Sequence, residues 1–111
     1  MKSIYRLKKN YQYNYVYKHA KSVADRRFIL LYCLSGQDKQ TRFGFSVGKK
    51  FGHAVMRNRI RRQMKAATSV YAADVTCGYN VVIIPREIPT CQYSEIVDAI
   101  GKLLKRAGLL Q

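Results

Sequence analysis

The stretch from Lys49 to Lys65, KKFGHAVMRNRIRRQMK, constrains the fold more than any other part of the chain. It holds seven Lys or Arg residues and no carboxylate. Apolar side chains nevertheless recur through it and beyond it at helical spacing, at Met56, Ile60, Met64, Ala67 and Tyr71. This spacing predicts an amphipathic central helix that begins near His53 and ends before Cys77. One face of that helix must be buried while the rest carries a dense positive charge.

The basic side chains of this helix are predicted to share a face. Arg57, Arg61 and Lys65 follow one another at i, i+4 spacing. Asn58 and Arg62 lie one step round the helix, so all five are expected roughly opposite the apolar stripe. Like charges at this spacing destabilise a helix, which indicates that an anion binds there, and phosphate matches the planar fork of arginine. A merely solubilising basic face is the alternative interpretation.

The overall charge indicates the class of partner. Across 111 residues, 21 Lys and Arg stand against six Asp and Glu, a formal net charge of +15. Nucleic acid is therefore the first expected partner, a membrane surface the second and an acidic protein a distant third. With 48% hydrophobic residues, the chain is expected to fold as a single nucleic-acid-binding domain over residues 1–111. No apolar run approaches the roughly 20 residues that span a bilayer, so a cytoplasmic location is expected.

Hydrophobic periodicity predicts which secondary-structure elements precede the central helix. A short helix is predicted from Asn10, as its N-cap, to Ala20. The runs Arg27–Leu34 and Thr41–Gly48 are predicted to be antiparallel strands joined by a polar hairpin loop. A further short strand near Lys21–Asp25 is weakly marked.

The C-terminal third is predicted to hold one strand and one helix. The apolar run Tyr79–Ile84 is too short for a helix and is followed by Pro85, so it is interpreted as a buried strand. Ser94 or Thr90 is expected to cap a last helix, which Gly108 closes. The resulting order is α-β-β-α-β-α, an α+β fold whose small sheet includes a crossover through the basic helix.

Four tyrosines alternate along the first helix, at Tyr11, Tyr13, Tyr15 and Tyr17, with lysines on both sides. Tyr13 and Tyr17 share the face of Val16, so these two rings are candidates for the core. In an RNA-binding protein they are equally candidates for stacking on unpaired bases. Both interpretations stay open, because a ring at the edge of a cleft can do both.

Residues that could carry catalysis are scattered along the chain. Glu95 and Asp98 are the only acidic pair at helical i, i+3 spacing, and surface pairing is expected for them. His19 and His53 have no obvious carboxylate or nucleophile partner. The sequence therefore predicts no catalytic residue and no metal site.

The glycines and cysteines are expected to have structural roles. The glycines around the turn before the central helix are Gly44, Gly48 and Gly52. They match no phosphate-binding motif and are expected to permit close approach of the backbone. The cysteines are Cys33, Cys77 and Cys91. Their number and spacing fit neither a disulfide framework nor a zinc site, so free thiols are expected.

The segment FSVGKKFGHAVMRNRIRRQMK, residues 45–65, resembles the signature of the protein subunits of bacterial ribonuclease P. The matching features are the strand ending in SVGKK, the AV-x-RN-x-I-RR core and the basic position that follows. The segment LKKNYQYNYVYKHAKSV, residues 7–23, is similar to the N-terminal region of that family. The resemblance covers about residues 6–70.

This resemblance implies a small protein that binds a large catalytic RNA. The RNA, with magnesium bound mainly by it, removes the 5′ leader of precursor tRNA. A left-handed βαβ crossover is implied to bring the basic helix to that RNA, and no membrane or protein partner is implied. The residues that match the helix motif are Arg57, Asn58, Arg59, Arg61, Arg62 and Lys65.

The resemblance further implies a cleft between the sheet and the first helix that receives the single-stranded leader. The candidate residues of this cleft are Tyr13, Tyr17, Lys49, Lys50, Leu31 and Tyr32. The family's aromatic position in the second cleft-lining strand falls on Leu31, with Tyr32 one residue later. A shift of one residue turns a side chain to the other face, so both are candidates.

The predicted function is therefore that of the protein component of ribonuclease P, which takes part in an endoribonuclease without performing the chemistry. A ribosomal protein or general RNA chaperone is the alternative, since it would share the size, the charge and the fold class. A nuclease made of protein alone is disfavoured, because clustered carboxylates that would hold metal ions are scarce.

Overall fold

A computed structural model describes residues 2, 5–35, 40–88 and 92–111. The elements in chain order are α1 (Asn10–His19), β1 (Lys21–Ala24), β2 (Phe28–Leu34), β3 (Arg42–Phe45), a short 3₁₀ turn (Lys49–Phe51), α2 (Ala54–Ser69), β4 (Tyr79–Pro85) and α3 (Tyr93–Arg106). The α+β class and the predicted order are confirmed. The weakly marked strand is present as β1, which makes the order α-β-β-β-α-β-α.

The four strands form one mixed sheet in the order β1-β2-β4-β3. Strand β2 pairs antiparallel with both β1 and β4, and β3 pairs parallel with β4. The predicted hairpin between β2 and β3 is therefore wrong, because β4 lies between them. Val81, Val82 and Ile83 of β4 are completely buried, as expected for a strand with neighbours on both sides. Residues 36–39 of the expected hairpin loop lie outside the described residues.

The parallel pair β3 and β4 requires a crossover connection, and α2 provides it. The predicted crossover through the basic helix is thus confirmed, while its left hand stays a prediction. Helices α2 and α3 pack on one face of the sheet in the larger hydrophobic cluster, which includes Phe28, Phe43, Ile60 and Ile100. The smaller cluster, on the other face, lies under α1 and is built around Val16. The sheet consequently separates α1 from the basic helix, except at the β3 edge.

The ends of two helices differ from the prediction by a few residues. Asn10 is the first residue of α1 and Lys9 is the N-cap. The side chain of Gln12 accepts hydrogen bonds from the backbone N–H groups of Lys8 and Lys9, which would otherwise have no helical partner. At α3 the N-cap is Gln92, so Ser94 lies inside the helix.

The predicted stop of α3 is confirmed. Gly108 follows the helix with a φ of 79°, the left-handed conformation that ends many helices. Thr90, the other cap candidate for this helix, lies outside the described residues.

Candidate nucleic-acid interface

The basic side chains of α2 occupy two surfaces instead of one. Ile60 and Met64 are buried as predicted. Arg57, Arg61 and Lys65 are only half-exposed. Because successive residues of a helix are 100° apart, Arg57 and Arg61 lie about 60° and 100° from Ile60, beside the apolar stripe, whereas Lys65 lies about 140° from Ile60. The prediction of one face opposite the stripe is therefore wrong for Arg57 and Arg61, while Lys65 lies nearly opposite the stripe and is nevertheless partly buried.

The fully exposed surface of α2 carries the other three candidates, Asn58, Arg59 and Arg62. Asn58 connects the two surfaces, because its Oδ1 accepts a hydrogen bond of 2.8 Å from the Arg61 guanidinium. The Nε atom of Arg57 is buried and has no hydrogen-bond partner in the described part of the chain. Helix α2 therefore presents arginine donors both to solvent and toward the β3 edge of the sheet.

A cluster of like charges forms where α2 meets the segment before α1. Burial lowers the pKa of the Lys65 amine, and the charges of Arg6 and Arg61 lower it further. Arg6 is held at this place because its backbone forms a bridge with Phe43 of β3. Cations held close together repel one another until an anion joins them, so this cluster is suited to bind phosphate.

A groove of about 430 Å³, here called the first groove, lies between α1 and the β3 edge. Helix α1 contributes Asn10, Tyr13, Asn14 and Tyr17, the end of β3 contributes residues 45–47, and α2 contributes Arg61. The rings of Tyr13 and Tyr17 have their centroids 6.5 Å apart. The structure thus brings two predicted aromatic residues and one predicted arginine to the same groove.

The two tyrosines of the first groove are in different environments. Tyr13 is half-buried, its hydroxyl lies 3.5 Å from the backbone oxygen of Leu7 as a hydrogen-bond donor, and its ring lies over Gly44. Burial raises the pKa of the Tyr13 hydroxyl, so this group stays neutral. The Tyr17 side chain is 49% exposed. Tyr13 is therefore part of the packed wall, while Tyr17 presents a ring that a base can reach.

Leu31 and Tyr32 lie on opposite faces of the sheet. Leu31 packs in the smaller cluster under α1, whereas Tyr32 packs against the larger cluster on the other face. The ring of Tyr32 is 6.4 Å from that of Tyr79. Leu31 is thus the residue on the α1 side, although neither residue lines the first groove.

Lys49 and Lys50 lie in the 3₁₀ turn that follows β3, and both are exposed. The amine of Lys50 is 5.2 Å from the centroid of the Phe51 ring. Neither lysine lines the first groove, whose last residue from this segment is Val47. Lys49 and Lys50 thus follow Val47, the last groove residue of this segment, by two and three positions in the sequence.

The two acidic residues of α3 form ion pairs on the protein surface. Glu95 lies 3.9 Å from the Arg27 guanidinium, and Asp98 forms a 3.1 Å ion pair with Lys102. The expected surface role of this acidic pair is confirmed. No group of three or more His, Cys, Asp or Glu side chains that could hold a metal ion occurs within residues 2, 5–35, 40–88 and 92–111.

Cys33 and Cys77 are free thiols, as predicted, while Cys91 lies outside the described residues. Burial raises the pKa of the Cys33 thiol, which keeps it protonated and poorly nucleophilic. Among the helices of the described residues, none is long and apolar enough to cross a membrane.

Some residues of the first groove were not found from the sequence. Asn10 and Asn14 line it beside the tyrosines. They are one helical turn apart and next to Tyr13 and Tyr17 around the helix, so a helical projection could have identified them. The position of Arg61 in this groove could not be found in that way, because it depends on how α2 packs against β3.

Comparison with known proteins points to one family. The sequence profile described as Ribonuclease P matches residues 1–108. The "Ribonuclease P protein component" of Oceanobacillus iheyensis is 38% identical to the chain over 113 residues, which cover 100% of this chain and 93% of that protein. The protein of the same name from Carboxydothermus hydrogenoformans is 39% identical over 106 residues and is covered to 91%, as is this chain.

Solved structures agree with this result. The RNase P protein of Staphylococcus aureus superposes with a TM-score of 0.84 at 30% identity, covering 96% of this chain and 98% of that one. The RNase P protein from Thermotoga maritima superposes with a TM-score of 0.80 at 26% identity, covering 91% of this chain and 96% of that one. The similarity therefore extends over nearly the whole chain in both sequence and fold.

Proposed function

The chain belongs to the ribonuclease P protein family, and on that premise we propose that it binds two RNA elements through two different surfaces. As the protein component of ribonuclease P, it is part of an endoribonuclease that contains an RNA subunit. We propose that α2 faces this catalytic RNA and that the first groove holds the single-stranded 5′ leader of precursor tRNA. Because the chain belongs to this family, the alternative function of a ribosomal protein or general RNA chaperone is dropped.

The proposed contact with the catalytic RNA is supported by the exposed surface of α2. Asn58, Arg59 and Arg62 are exposed there, and no carboxylate occurs anywhere in this helix. Arginine contacts with phosphate are bidentate and release counterions from the RNA. The density of such donors on one helix favours a phosphate-rich partner.

The proposed contact with the leader depends on one observation, the position of Tyr17 and Arg61 in the same groove. An exposed aromatic ring can stack on an unpaired base, and a guanidinium beside it can hold the phosphate of the same strand. Asn10 and Asn14 add amide groups that can donate to or accept from base edges. A double helix would hide its bases from such a groove, so the groove favours a single strand.

We propose that the magnesium ions of the reaction are bound mainly by the RNA. This proposal follows from the family resemblance and from the presence of only six acidic residues in the chain. The described residues do not fit a metal site of their own. The part of the protein is then to bind and orient the two RNAs and to neutralise phosphate charge between them.

The leader contact is tested with Tyr17→Ala. This change removes the ring from the first groove, so the reconstituted holoenzyme should bind precursor tRNA about 5- to 150-fold more weakly, the loss of one base–aromatic contact. Binding of mature tRNA, which lacks the leader, should stay the same. Tyr17→Phe keeps the ring and should behave like the original protein. Equal weakening of both tRNAs by Tyr17→Ala would show that the ring does not stack on the leader.

The contact with the catalytic RNA is tested with Arg62→Ala. Loss of one phosphate contact should weaken assembly with the RNA and lower the slope of log affinity against log salt concentration by about 1. Lys105→Ala, which removes an exposed charge from the end of α3, is the control and should change that slope less. The same slope for Arg62→Ala and for the unaltered protein would contradict the assignment of α2.

A further inference from the structure

A second groove of about 310 Å³ lies on the other flank of α1. One wall is formed by Tyr15 and His19 near the C-terminal end of α1. The opposite wall is formed by strands β1, β2 and β4. No residue of α2 contributes to it, so this groove is separate from the surface that we assign to the catalytic RNA.

Helix α1 is the element that the two grooves share. Tyr15 is two residues from both Tyr13 and Tyr17, which corresponds to about 200° around a helix. The tyrosines therefore alternate between flanks, with Tyr13 and Tyr17 in the first groove and Tyr15 in the second. The alternating pattern in the sequence thus places aromatic rings on both sides of a single helix.

The walls of the second groove consist largely of aromatic rings. The rings of Tyr15 and His19 have their centroids 4.4 Å apart on the α1 side. Tyr32 and Tyr79 line the groove at the end of the sheet and form a second pair 6.4 Å apart, although both pack against the larger cluster on the face away from α1. Leu34, at the end of β2, adds a side chain that is 65% exposed. The exposed Tyr15–His19 pair is therefore the ring surface of this groove on which a base can stack regardless of its sequence.

The charge around the second groove favours an anionic strand. Lys21 lines it, and Lys18 is exposed on the same helix. Among the described residues, no Asp or Glu lines it. Its volume lies within the range of small-ligand sites and can hold a base. Aromatic walls beside lysines, in a chain of net charge +15, are the combination that binds single-stranded nucleic acid.

We propose that the second groove binds unpaired nucleotides of the leader that lie further from the cleavage site than those in the first groove. The proposal rests on the proposed function of the first groove. The leader is favoured over the catalytic RNA because the second groove shares α1 with the first groove and shares nothing with α2. Around α1, Lys18 lies about 100° and His19 about 200° from Tyr17, so a strand that leaves the first groove past Tyr17 and crosses the helix reaches Lys18 before His19.

The test compares Tyr15→Ala with Tyr11→Ala in the reconstituted holoenzyme. Both tyrosines are exposed on α1, at 48% and 70%, but Tyr11 lines neither groove. Each variant is assayed for binding to mature tRNA, to precursor tRNA with a leader that fills only the first groove, and to precursor tRNA with a leader several nucleotides longer. Tyr15→Ala should weaken binding of the long leader alone, by about 5- to 150-fold. Tyr11→Ala should change none of the three.

Three results would overturn the proposal: no effect of Tyr15→Ala, an equal effect on both leaders, or unchanged RNA binding with a loss of self-association, which would make the groove a protein contact. Thermal melting establishes that the variants are folded, and Tyr15→Phe, which keeps the ring, should bind like the original protein. The proposed function of the first groove is tested separately. If Tyr17→Ala fails to distinguish the short leader from mature tRNA, the proposed function fails, whatever Tyr15→Ala shows.

Discussion

Gly44 determines where the Tyr13 ring lies and thereby shapes the first groove. A Cβ atom at Gly44 would lie 2.6 Å from ring atoms of Tyr13, much closer than such atoms approach. Gly48, four residues later, differs from it. A Cβ atom there would meet only the Lys50 side chain, at 4.0 Å, and its φ of −71° suits any residue. The expectation that these glycines permit close approach is therefore confirmed for Gly44 and is wrong for Gly48.

Gly44→Ala should consequently reduce the free energy of unfolding by about 1–3 kcal/mol, because the added methyl group forces the Tyr13 ring from its place. The same change should weaken binding of precursor tRNA more than binding of mature tRNA. Gly48→Ala is the matched control and should leave stability unchanged or raise it by up to about 1 kcal/mol, since it restricts only the unfolded chain. Urea denaturation followed by circular dichroism measures both, and equal losses would contradict the role given to Gly44.

At the scale of elements, patterns within one segment were predictable and contacts between segments were not. The start of helix α2 and the position of strand β4 were predicted correctly because periodicity and run length are local properties, although Tyr71, the last residue of the predicted stripe, lies beyond the end of α2 at Ser69. The hairpin of β2 with β3 was wrong, since two apolar runs around a polar loop indicate a hairpin even when a later strand takes the place between them. Within the candidate site, Tyr13 and Tyr17 followed from helical spacing, whereas Arg61 entered the groove through the packing of α2 against the β3 edge.

Helix α2 should be more stable without one of its charges. Burial, Arg6 and Arg61 all lower the pKa of Lys65, so the folded state disfavours its charged form. That destabilisation is present at neutral pH and is lost as the pH rises through the lowered pKa. Lys65→Met should therefore stabilise the free protein at neutral pH by roughly 0.5 kcal/mol at low salt, after solvent screening, and by less at high salt.

The same Lys65→Met variant should bind the catalytic RNA more weakly, so stability and binding move in opposite directions. Lys105→Met is the control, because it should change the stability in the opposite direction. Lys105 lies in the last turn of α3, where a positive charge interacts favourably with the helix dipole, and its loss should slightly destabilise the protein. Stability is measured by denaturation at two salt concentrations. A destabilised Lys65→Met variant at low salt would contradict the repulsion inferred around this residue.

At the scale of the whole molecule, the stability of the free protein depends on the distance over which its positive charges repel one another. The described fold extends over 35 × 29 × 24 Å and the chain carries a net charge of +15. At 0.01 M salt the Debye length is about 30 Å, so charges on opposite sides of the molecule repel one another. At 0.1 M it is about 10 Å, and only neighbouring charges still interact. The free protein should thus be least stable in dilute buffer, before any RNA neutralises it.

Sulfate should therefore stabilise the free protein in three ways that can be separated. Chloride and sulfate at equal ionic strength screen charge equally, and sulfate adds a further stabilisation because it is excluded from the protein surface, which Lys65→Met should leave in place. The cluster of Arg6, Arg61 and Lys65 offers a place for a doubly charged anion, and an anion that binds only the folded state adds stability by mass action. We expect sulfate to exceed chloride by about 5 °C, which corresponds to about 1 kcal/mol for a domain of this size. Lys65→Met should reduce that excess while keeping the part common to both salts. A melting temperature that responds to neither salt would show that charge repulsion does not limit the stability of this fold.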